Sequence, residues 1–408
     1  MSELLPLRRN RDFVLFQIGQ FLSAFGSGIS GIAYPLLALA LTNSAAKTGY
    51  VGALEFAPLV LLSVPAGVAA DRFDRKRLMI LADVAGATAL AVLAAAVLTG
   101  HARYWLVLVV VFVDMSAAVL FRAGSSGAMK AVVPRPQLAD AASVSMARSS
   151  VVRLGSTPLG GAFFQLAHGV PFLADAASYA FSTASLLLMR TRFQEERERG
   201  LRTPFREGLS YFWSIPFLRT TIGMIAASNL VAAGAPIAVI ILAHRQRFAP
   251  WEIGVFIAFQ GAMLLAGSLL SPLLRRVFPM RAILLSEFWM ALVYGAFIAF
   301  PNVYVLAVAA SLHAFWFPNT DSAIQAYSYA LIPDRLLGRA MAASNTLRAA
   351  SAPLGPLIAG LLLADTSPRI CVLVLATPVV MAAFLGTLSP ALRDLPSLDS
   401  AVSPAEAG

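Results

Sequence analysis

The sequence predicts an all-α membrane protein in which twelve transmembrane helices form two pseudo-symmetric bundles of six. Three observations lead to this prediction: an apolar composition, twelve separate apolar runs, and a short motif that recurs in both halves. Hydrophobic residues make up 58% of the 408 residues, and charged residues make up only 13%. An ordinary globular chain has about 25% charged residues. We therefore expect lipid, rather than water, to surround most of this chain.

The composition also argues against several other classes of protein. Cys371 is the only cysteine, and the four histidines lie far apart. A disulfide framework and a multi-thiolate metal site are therefore excluded, and we expect neither a metal nor a cofactor. The net charge of +10 would suggest nucleic acid in a soluble protein. Here the basic residues lie mainly in short gaps between apolar runs, which indicates a role in membrane topology and no nucleic-acid partner.

Twelve apolar runs are long enough to cross a bilayer, which requires about 20 mainly apolar residues in a helix. The first run starts near Phe13 and is too long for the core of a signal peptide. Several runs are separated by only a few residues, as at residues 168–170, and these pairs must be tight antiparallel hairpins. The predicted spans cover residues 13–41, 47–69, 78–99, 104–127, 138–167, 171–190, 218–243, 252–275, 281–300, 303–331, 339–363 and 370–389.

The distribution of Lys and Arg predicts the orientation of these spans. With the N-terminus inside, 22 of the 31 Lys and Arg residues fall in inside segments, five fall in outside loops and four fall within spans. Both termini are therefore expected to be cytoplasmic. We predict a six-helix bundle over residues 1–190, a cytoplasmic linker over 191–217, a second six-helix bundle over 218–390 and a disordered cytoplasmic tail over 391–408. Alternating charges at residues 194–199 predict that the linker contains a short surface helix.

The two halves share a short motif. In span 5, Arg153 precedes Pro158-Leu159-Gly160, and in span 11, Arg348 precedes Pro353-Leu354-Gly355 at an offset of 195. Parallel repeats of six helices place a substrate site near the midplane between halves that alternate in access. Small residues also let helices approach closely in lipid. The predicted packing motif of helices 5 and 11 comprises Gly155, Pro158, Gly160, Gly161, Pro353 and Gly355.

The loop after span 2 carries the most specific motif, Gly67, three residues, Asp71-Arg72, two residues, Arg75-Lys76. We expect Gly67 to let span 2 approach a neighbour closely. An ordinary positive-inside loop would explain the cations but not the glycine and aspartate at this spacing. At this motif the chain resembles the major facilitator superfamily. The resemblance implies a gating role, in which Asp71 meets the start of helix 11 at residues 338–340 and latches the outward-open state.

Within that superfamily the chain resembles the drug:proton antiporter branch that includes enterobactin exporters and macrolide efflux proteins. The stretches that carry this resemblance are residues 7–13, 71–75, 175–179, 207–212 and 333–339. It implies proton-driven export of amphipathic small molecules by a monomeric, multi-pass protein of the bacterial inner membrane. Two departures count against proton antiport. Helix 5 lacks the adjacent Gly-Pro of the antiporter motif, and Ser27 follows Gly26 where an acidic residue is often found.

Ionisable residues inside the spans are candidates for the transport chemistry, because each costs roughly 3 kcal/mol or more unless it has a partner or water. Asp114 in span 4 and Arg148 in span 5 are expected at similar depth and should meet, as should Asp321 in span 10 and Arg348 in span 11. Structural salt bridges between helices are the alternative to proton transfer. The candidates for proton coupling are Asp114, Glu55 and Asp321, and their candidate charge partners are Arg148, Arg153 and Arg348.

The remaining polar residues of the spans receive other assignments. We assign Asp83 and Glu287 to packing near the cytoplasmic face, Asp175 to the start of span 6 as a helix cap, and His313 to a packed polar position. The residues expected to line an amphipathic substrate cavity are Gln17, Gln20, Asn229 and Gln325.

These sequence features bear on three possible functions. A proton-driven exporter is the first, with a small molecule, protons and the lipid bilayer as its partners. An uptake or facilitator carrier of a small metabolite on the same fold is the alternative. A membrane enzyme is disfavoured, because the sequence has no His-Glu-x-x-His, no Gly-x-Ser-x-Gly and no Gly-rich phosphate loop.

Overall fold

The computed structural model describes residues 6–191, 193 and 205–393, and every regular element in these ranges is a helix. Residues 194–199 of the linker lie outside the described residues, as does the tail from residue 394 onward, while the described part of the linker contains the short helix Phe205–Ser214. Each of the twelve predicted spans coincides with a helix, and the ends agree within a few residues apart from the start of span 11.

The helices of the first half are continuous. They are α1 (Arg11–Thr42), α2 (Ala45–Arg72), α3 (Arg75–Leu98), α4 (Tyr104–Ser125), α5 (Leu138–Leu166) and α6 (Val170–Leu188). Two helices of the second half are interrupted. The second half contains α7 (Pro216–Arg245), α8 (Pro250–Val277), α9 in two parts (Met280–Met290 and Tyr294–Ala299, joined by the 3-10 turn Ala291–Val293), α10 (Val303–Leu331), α11 in two parts (Asp334–Ala350 and Leu354–Asp365) and α12 (Pro368–Leu388). Shorter helices cover Ala128–Val132, Phe205–Ser214 and Pro390–Arg393.

Side-chain caps mark where several helices begin. The Asn10 side chain accepts a hydrogen bond from the Phe13 amide at the start of α1. Asp74 accepts one from the Arg77 amide at the start of α3, at 2.9 Å. These short polar side chains satisfy amide groups that have no partner within the first turn. At the other end of α1, Asn43 adopts a left-handed conformation with φ of 47° and stops the helix.

Nine of the described helices are long and apolar enough to cross a membrane. The three predicted spans outside this set, α5, α6 and α10, are also continuous helices of 29, 19 and 29 residues. Their hydropathy is lowered by polar residues such as Arg148 in α5, Asp175 in α6 and Asp321 in α10. These same residues form the polar networks described below.

The chain divides into two compact units. The first comprises Met1–Arg199 with Arg247–Ala258, and the second comprises Gly200–Gln246 with Phe259–Gly408. In the first unit, α1 packs on α5 and α6, and α4 packs on α2 and α3. In the second unit, α7 packs on α11 and α12, and the first part of α9 packs on α10.

Two glycines of the repeated motif lie where helices meet most closely. A Cβ atom on Gly160 of α5 would lie 2.7 Å from the carbonyl oxygen of Ile29 in α1. A Cβ atom on Gly355 of α11 would lie 2.7 Å from the amide nitrogen of Gly234 in α7. Both positions therefore exclude any side chain. By contrast, no atom of the described residues lies within 4 Å of a Cβ placed on Gly67. The expected close approach of α2 at Gly67 has no counterpart among these residues and stays a prediction.

This contrast predicts that valine affects the stability of the protein differently at positions 160 and 67. Gly160→Val should destabilise the protein by about 1–3 kcal/mol, because the added atoms force α1 and α5 apart. Gly67→Val should leave the unfolding temperature close to that of the wild type. Thermal unfolding of the purified variants in detergent checks the prediction, and equal unfolding temperatures for the two variants would contradict it.

Candidate functional site

One face of α6 is polar and buried. Asp175, Ser178, Tyr179 and Ser182 are spaced three or four residues apart and therefore share one side of the helix. Their exposed fractions range from 0 to 7%. This face contacts α1 and α3, the neighbours against which α6 packs. This face of α6 thus places polar groups in the interior of the first unit.

Asp114 of α4 lies at the centre of this interior and is fully buried. The Tyr34 hydroxyl donates a hydrogen bond to Asp114 Oδ2 at 2.7 Å. The Tyr179 hydroxyl donates one to Asp114 Oδ1 at 2.8 Å. Both carboxyl oxygens therefore have a phenol as partner, and neither is paired with a cation among the described residues.

Asp175 of α6 is a second fully buried carboxyl in the same interior. It accepts hydrogen bonds from Ser30 Oγ at 2.5 Å and from Ser178 Oγ at 2.9 Å. The Ser27 hydroxyl donates a hydrogen bond to the Tyr179 hydroxyl at 3.3 Å. Ser27 and Ser30 of α1 thus contact Tyr179 and Asp175, respectively. The expectation that Asp175 caps span 6 is wrong. Its side chain bonds across the bundle, and α6 already begins at Val170.

Two more carboxyl groups lie close by. Glu55 of α2 interacts electrostatically with Asp114, and its Oε1 atom is buried and has no hydrogen-bond partner among the described residues. Asp83 of α3 is 1% exposed and interacts with the Ser182 side chain of α6. Asp83 is thus packed within the first unit.

The predicted pairing of Asp114 with Arg148 is not formed. Arg148 donates a hydrogen bond to Gln17 Oε1 at 2.8 Å, and Gln17 in turn donates to Ser145 Oγ at 3.0 Å. The reason is depth. On α1, the Asp114 partner Tyr34 and the Arg148 partner Gln17 lie 17 residues apart, about 25 Å along the helix, so the two side chains lie at different levels. Arg153, one and a half turns further along α5, is exposed, and Gln20 of α1 is half-buried.

The second unit contains the other predicted pair. Arg348 and Asp321 form an ion pair, with exposed fractions of 13% and 23%. Gln325 Nε2 donates to Asp321 Oδ2 at 2.8 Å, and Asn229 Nδ2 donates to the Arg348 carbonyl at 2.7 Å. The structure therefore joins two residues expected to line a cavity, Asn229 and Gln325, to the predicted ion pair.

The loop after α2 makes contacts within the first unit. Lys76 donates a hydrogen bond to the Met189 carbonyl at 2.7 Å, at the end of α6. Arg75 lies 3.7 Å from Asp71, whose side chain is 76% exposed. The structure does not describe the surroundings of Gly338 and Arg339, the expected partners of Asp71. The gating role of Gly67, Asp71, Arg72, Arg75 and Lys76 therefore stays a prediction.

Sequence reasoning missed Tyr34, Tyr179, Ser30 and the role of Asp175. A usable signal was present, because Asp175, Ser178 and Tyr179 are three and four residues apart in a stretch that also carried the family resemblance. No comparable signal marks Tyr34 in α1, which lies 80 residues from Asp114 in the chain.

This arrangement constrains the protonation of the first unit. Among the described residues, no Lys or Arg forms an ion pair with Glu55, Asp83, Asp114 or Asp175. Burying several unpaired negative charges together in lipid is prohibitively costly, so such groups bind protons instead.

Comparisons with known proteins agree with a membrane transporter. The family described as transmembrane secretion effectors matches residues 1–406. The multidrug efflux pump Tap of Mycobacterium tuberculosis is 27% identical over 409 residues, which cover 93% of this chain and 94% of the pump. The pump of the same name from Mycolicibacterium fortuitum is 24% identical and covers 91% of this chain and 93% of its own.

Solved structures resemble this chain in fold. The nucleoside transporter NupG has a TM-score of 0.74 at 13% identity, covering 95% of this chain and 100% of its own. A bacterial homologue of the iron transporter ferroportin, in its inward-facing state, has a TM-score of 0.67 at 16% identity. That likeness covers 94% of this chain and 99% of the homologue.

Proposed function

Because the chain belongs to the major facilitator superfamily, in the family of transmembrane secretion effectors, we propose that it exports amphipathic small molecules in exchange for protons. It is a membrane transporter with the twelve-helix fold of that superfamily. The proposed cycle is alternating access between the halves at 1–190 and 218–390. The direction and the substrate class rest on the multidrug efflux pumps that the chain resembles over most of its length.

The single observation that supports proton coupling is the environment of Asp114. It is fully buried, bound by two tyrosine hydroxyls and close to the carboxyl groups of Glu55 and Asp175, with no cation paired to it among the described residues. A purely structural salt bridge needs a basic partner, which Asp114 lacks. A carboxyl that alternates between a proton and no proton needs only a change in its exposure to water.

Proton and substrate should compete in this scheme. With Asp114 and the neighbouring carboxyl groups protonated, the interior of the first unit is neutral and closed by the hydrogen bonds of Tyr34 and Tyr179. Release of the proton leaves a negative charge that favours a bound cationic or polarisable substrate. Substrate binding should therefore strengthen as the pH rises, because fewer protons compete for the site.

The alternative is an uptake or facilitator carrier of a small metabolite. One observation favours it to a limited degree, since NupG, a nucleoside transporter, shares the fold. At 13% identity that likeness concerns the fold alone, whereas Tap resembles this chain in sequence over nearly its full length.

Transport in inverted membrane vesicles tests the proposal. The panel comprises ethidium, a macrolide, a catecholate siderophore and uridine, each with and without an imposed proton gradient. We expect gradient-driven accumulation of at least one of the first three compounds. Gradient-independent equilibration of uridine, with no accumulation of the others, would favour the alternative.

The proposed orientation, with both termini cytoplasmic, has its own test. A cysteine at position 302, in the short turn between α9 and α10, should react with an impermeant thiol reagent on intact cells. A cysteine at position 215, between Phe205–Ser214 and α7, should not react until the membrane is opened. Cys371→Ala serves as the background, although Cys371 is itself buried. The reverse labelling pattern would overturn the orientation.

A further inference from the structure

Two titratable side chains that the sequence assigned to packing meet inside the second unit. Glu287 of α9 is 2% exposed and His313 of α10 is 4% exposed. His313 Nε2 lies 3.8 Å from Glu287 Oε1. On the other side of the imidazole ring, Nδ1 lies 3.5 Å from the hydroxyl of Tyr294. An acid, an imidazole and a phenol therefore stand in a row within one unit.

The surroundings of this row leave one position unsatisfied. The Ser228 hydroxyl of α7 donates a hydrogen bond to Glu287 Oε1. Thr320 of α10 donates to the carbonyl of Ile283, one turn before Glu287, at 3.2 Å. His313 Nε2, in contrast, has no hydrogen-bond partner in the described part of the chain. It faces the carboxyl at a distance just beyond hydrogen bonding, so a shift of less than 1 Å would allow a proton to be shared.

The charge of the surroundings limits how many protons Glu287 and His313 can bind together. Asp321 and Arg348 are the charged side chains whose fields act on Glu287. They form an ion pair with each other and together contribute no net charge. Glu287 and His313 are therefore neutral as a pair when they hold one proton, whichever of the two carries it. Loss of that proton would leave a negative charge in an apolar interior, so release requires access to water.

The backbone next to the pair is irregular. The 3-10 turn Ala291–Val293 interrupts α9 between Glu287 and Tyr294. A 3-10 segment within a longer helix often marks a hinge, because its hydrogen bonds are poorer than those of an α-helix. A small cavity borders Tyr294 and is otherwise lined by apolar side chains of α7, α10 and α12. The Tyr294 side chain therefore borders a small space that the neighbouring side chains leave unfilled.

We propose that Glu287 and His313 form a second proton-binding site, contained in the second unit, that takes up and releases one proton in each transport cycle. This inference rests on the proposed proton-coupled export. When α9 bends at the 3-10 turn, the shared proton passes to water and leaves Glu287 ionised beside a neutral imidazole. When the turn closes again, a proton from water restores the neutral pair, so only O–H and N–H bonds change.

Nuclear magnetic resonance of the four histidines tests the site directly. The purified full-length protein, labelled with ¹⁵N-histidine, is titrated with acid in nanodiscs, and the His313→Asn variant identifies the His313 signals. We expect the His313 titration to differ from that of the other three histidines and to shift in Glu287→Gln. The Tyr294→Phe variant, which removes only a hydroxyl, should shift it as well. An unchanged His313 titration in both variants would overturn the proposal.

A transport measurement separates this role from a structural one. In proteoliposomes containing a pH-sensitive dye, the number of protons moved per molecule of exported ethidium, or of the panel compound exported fastest, should fall by one in Glu287→Gln. Glu287→Asp, which retains the acid, should keep the wild-type ratio. An unchanged ratio in Glu287→Gln would contradict the second site. Absence of any proton movement in the wild type would instead refute the proposed coupling as a whole, while the histidine titration would still report on the pair.

Discussion

Asp114→Asn should abolish gradient-driven export and leave downhill exchange of substrate intact. The amide has nearly the same shape as the carboxyl and can still accept a hydrogen bond from Tyr34 or Tyr179, so the bundle should fold. It cannot bind or release a proton, and the coupling step is therefore lost. Accumulation of substrate in inverted vesicles should drop to the level measured without a gradient.

The pH dependence of substrate binding gives a second readout for the same variant. Wild-type affinity should rise with pH, because protons compete with substrate, and the affinity of Asp114→Asn should be nearly independent of pH. Glu55→Gln is a matched control, since it also removes one carboxyl from the neighbourhood but breaks no hydrogen bond of its Oε1 atom. If Asp114→Asn exported normally against a gradient while Glu55→Gln did not, the carrier would be Glu55.

Arg348→Ala should be the most damaging substitution of a charged residue in the second unit. It removes the cation paired with Asp321 and leaves that carboxylate partly buried without compensation. A surface ion pair contributes about 0–1 kcal/mol and breaking a buried one costs about 3–5 kcal/mol, so a loss of about 2 kcal/mol in folding stability is expected for this intermediate site. Transport should be lost together with stability.

Arg148→Ala provides the matched comparison in the first unit. Because Arg148 binds the neutral side chain of Gln17, its removal leaves no uncompensated carboxylate. Its effect on stability should be under 1 kcal/mol, in the range of a single neutral hydrogen bond. Thermal unfolding of both variants measures the difference. Equal destabilisation by the two substitutions would show that Arg348 does not stabilise the protein through its pairing with Asp321.

The fold could be predicted from the sequence because membrane helices are defined by local composition. Runs of about 20 apolar residues must span a bilayer wherever they occur. The site could be predicted only in part. Asp321 and Arg348 were paired correctly because α10 and α11 follow each other in the chain and the expected depths were the same. That argument only counts residues from the start of each helix. It contains no information about the true depth of a side chain or about which helices are neighbours.

The first unit shows what this omission costs. Counting residues from the helix starts also placed Asp114 and Arg148 at one depth, yet their partners on α1, Tyr34 and Gln17, lie 17 residues apart and the two side chains do not meet. The actual partners of Asp114, Tyr34 and Tyr179, are amphipathic residues that are common in membrane helices for reasons unrelated to function. Their role becomes visible only when α1, α4 and α6 are placed together in space.

The tight contacts of Gly160 and Gly355 also bear on the descent of the chain. The two glycines occupy equivalent positions 195 residues apart, and each lies against the first helix of its own half, α1 or α7. Duplication and fusion of one ancestral six-helix gene accounts for both contacts at once. The rest of the two copies could drift apart, since lipid accepts many apolar side chains. A helix crossing with room only for a hydrogen atom accepts no residue larger than glycine. The two glycines therefore retain the pattern of the original repeat.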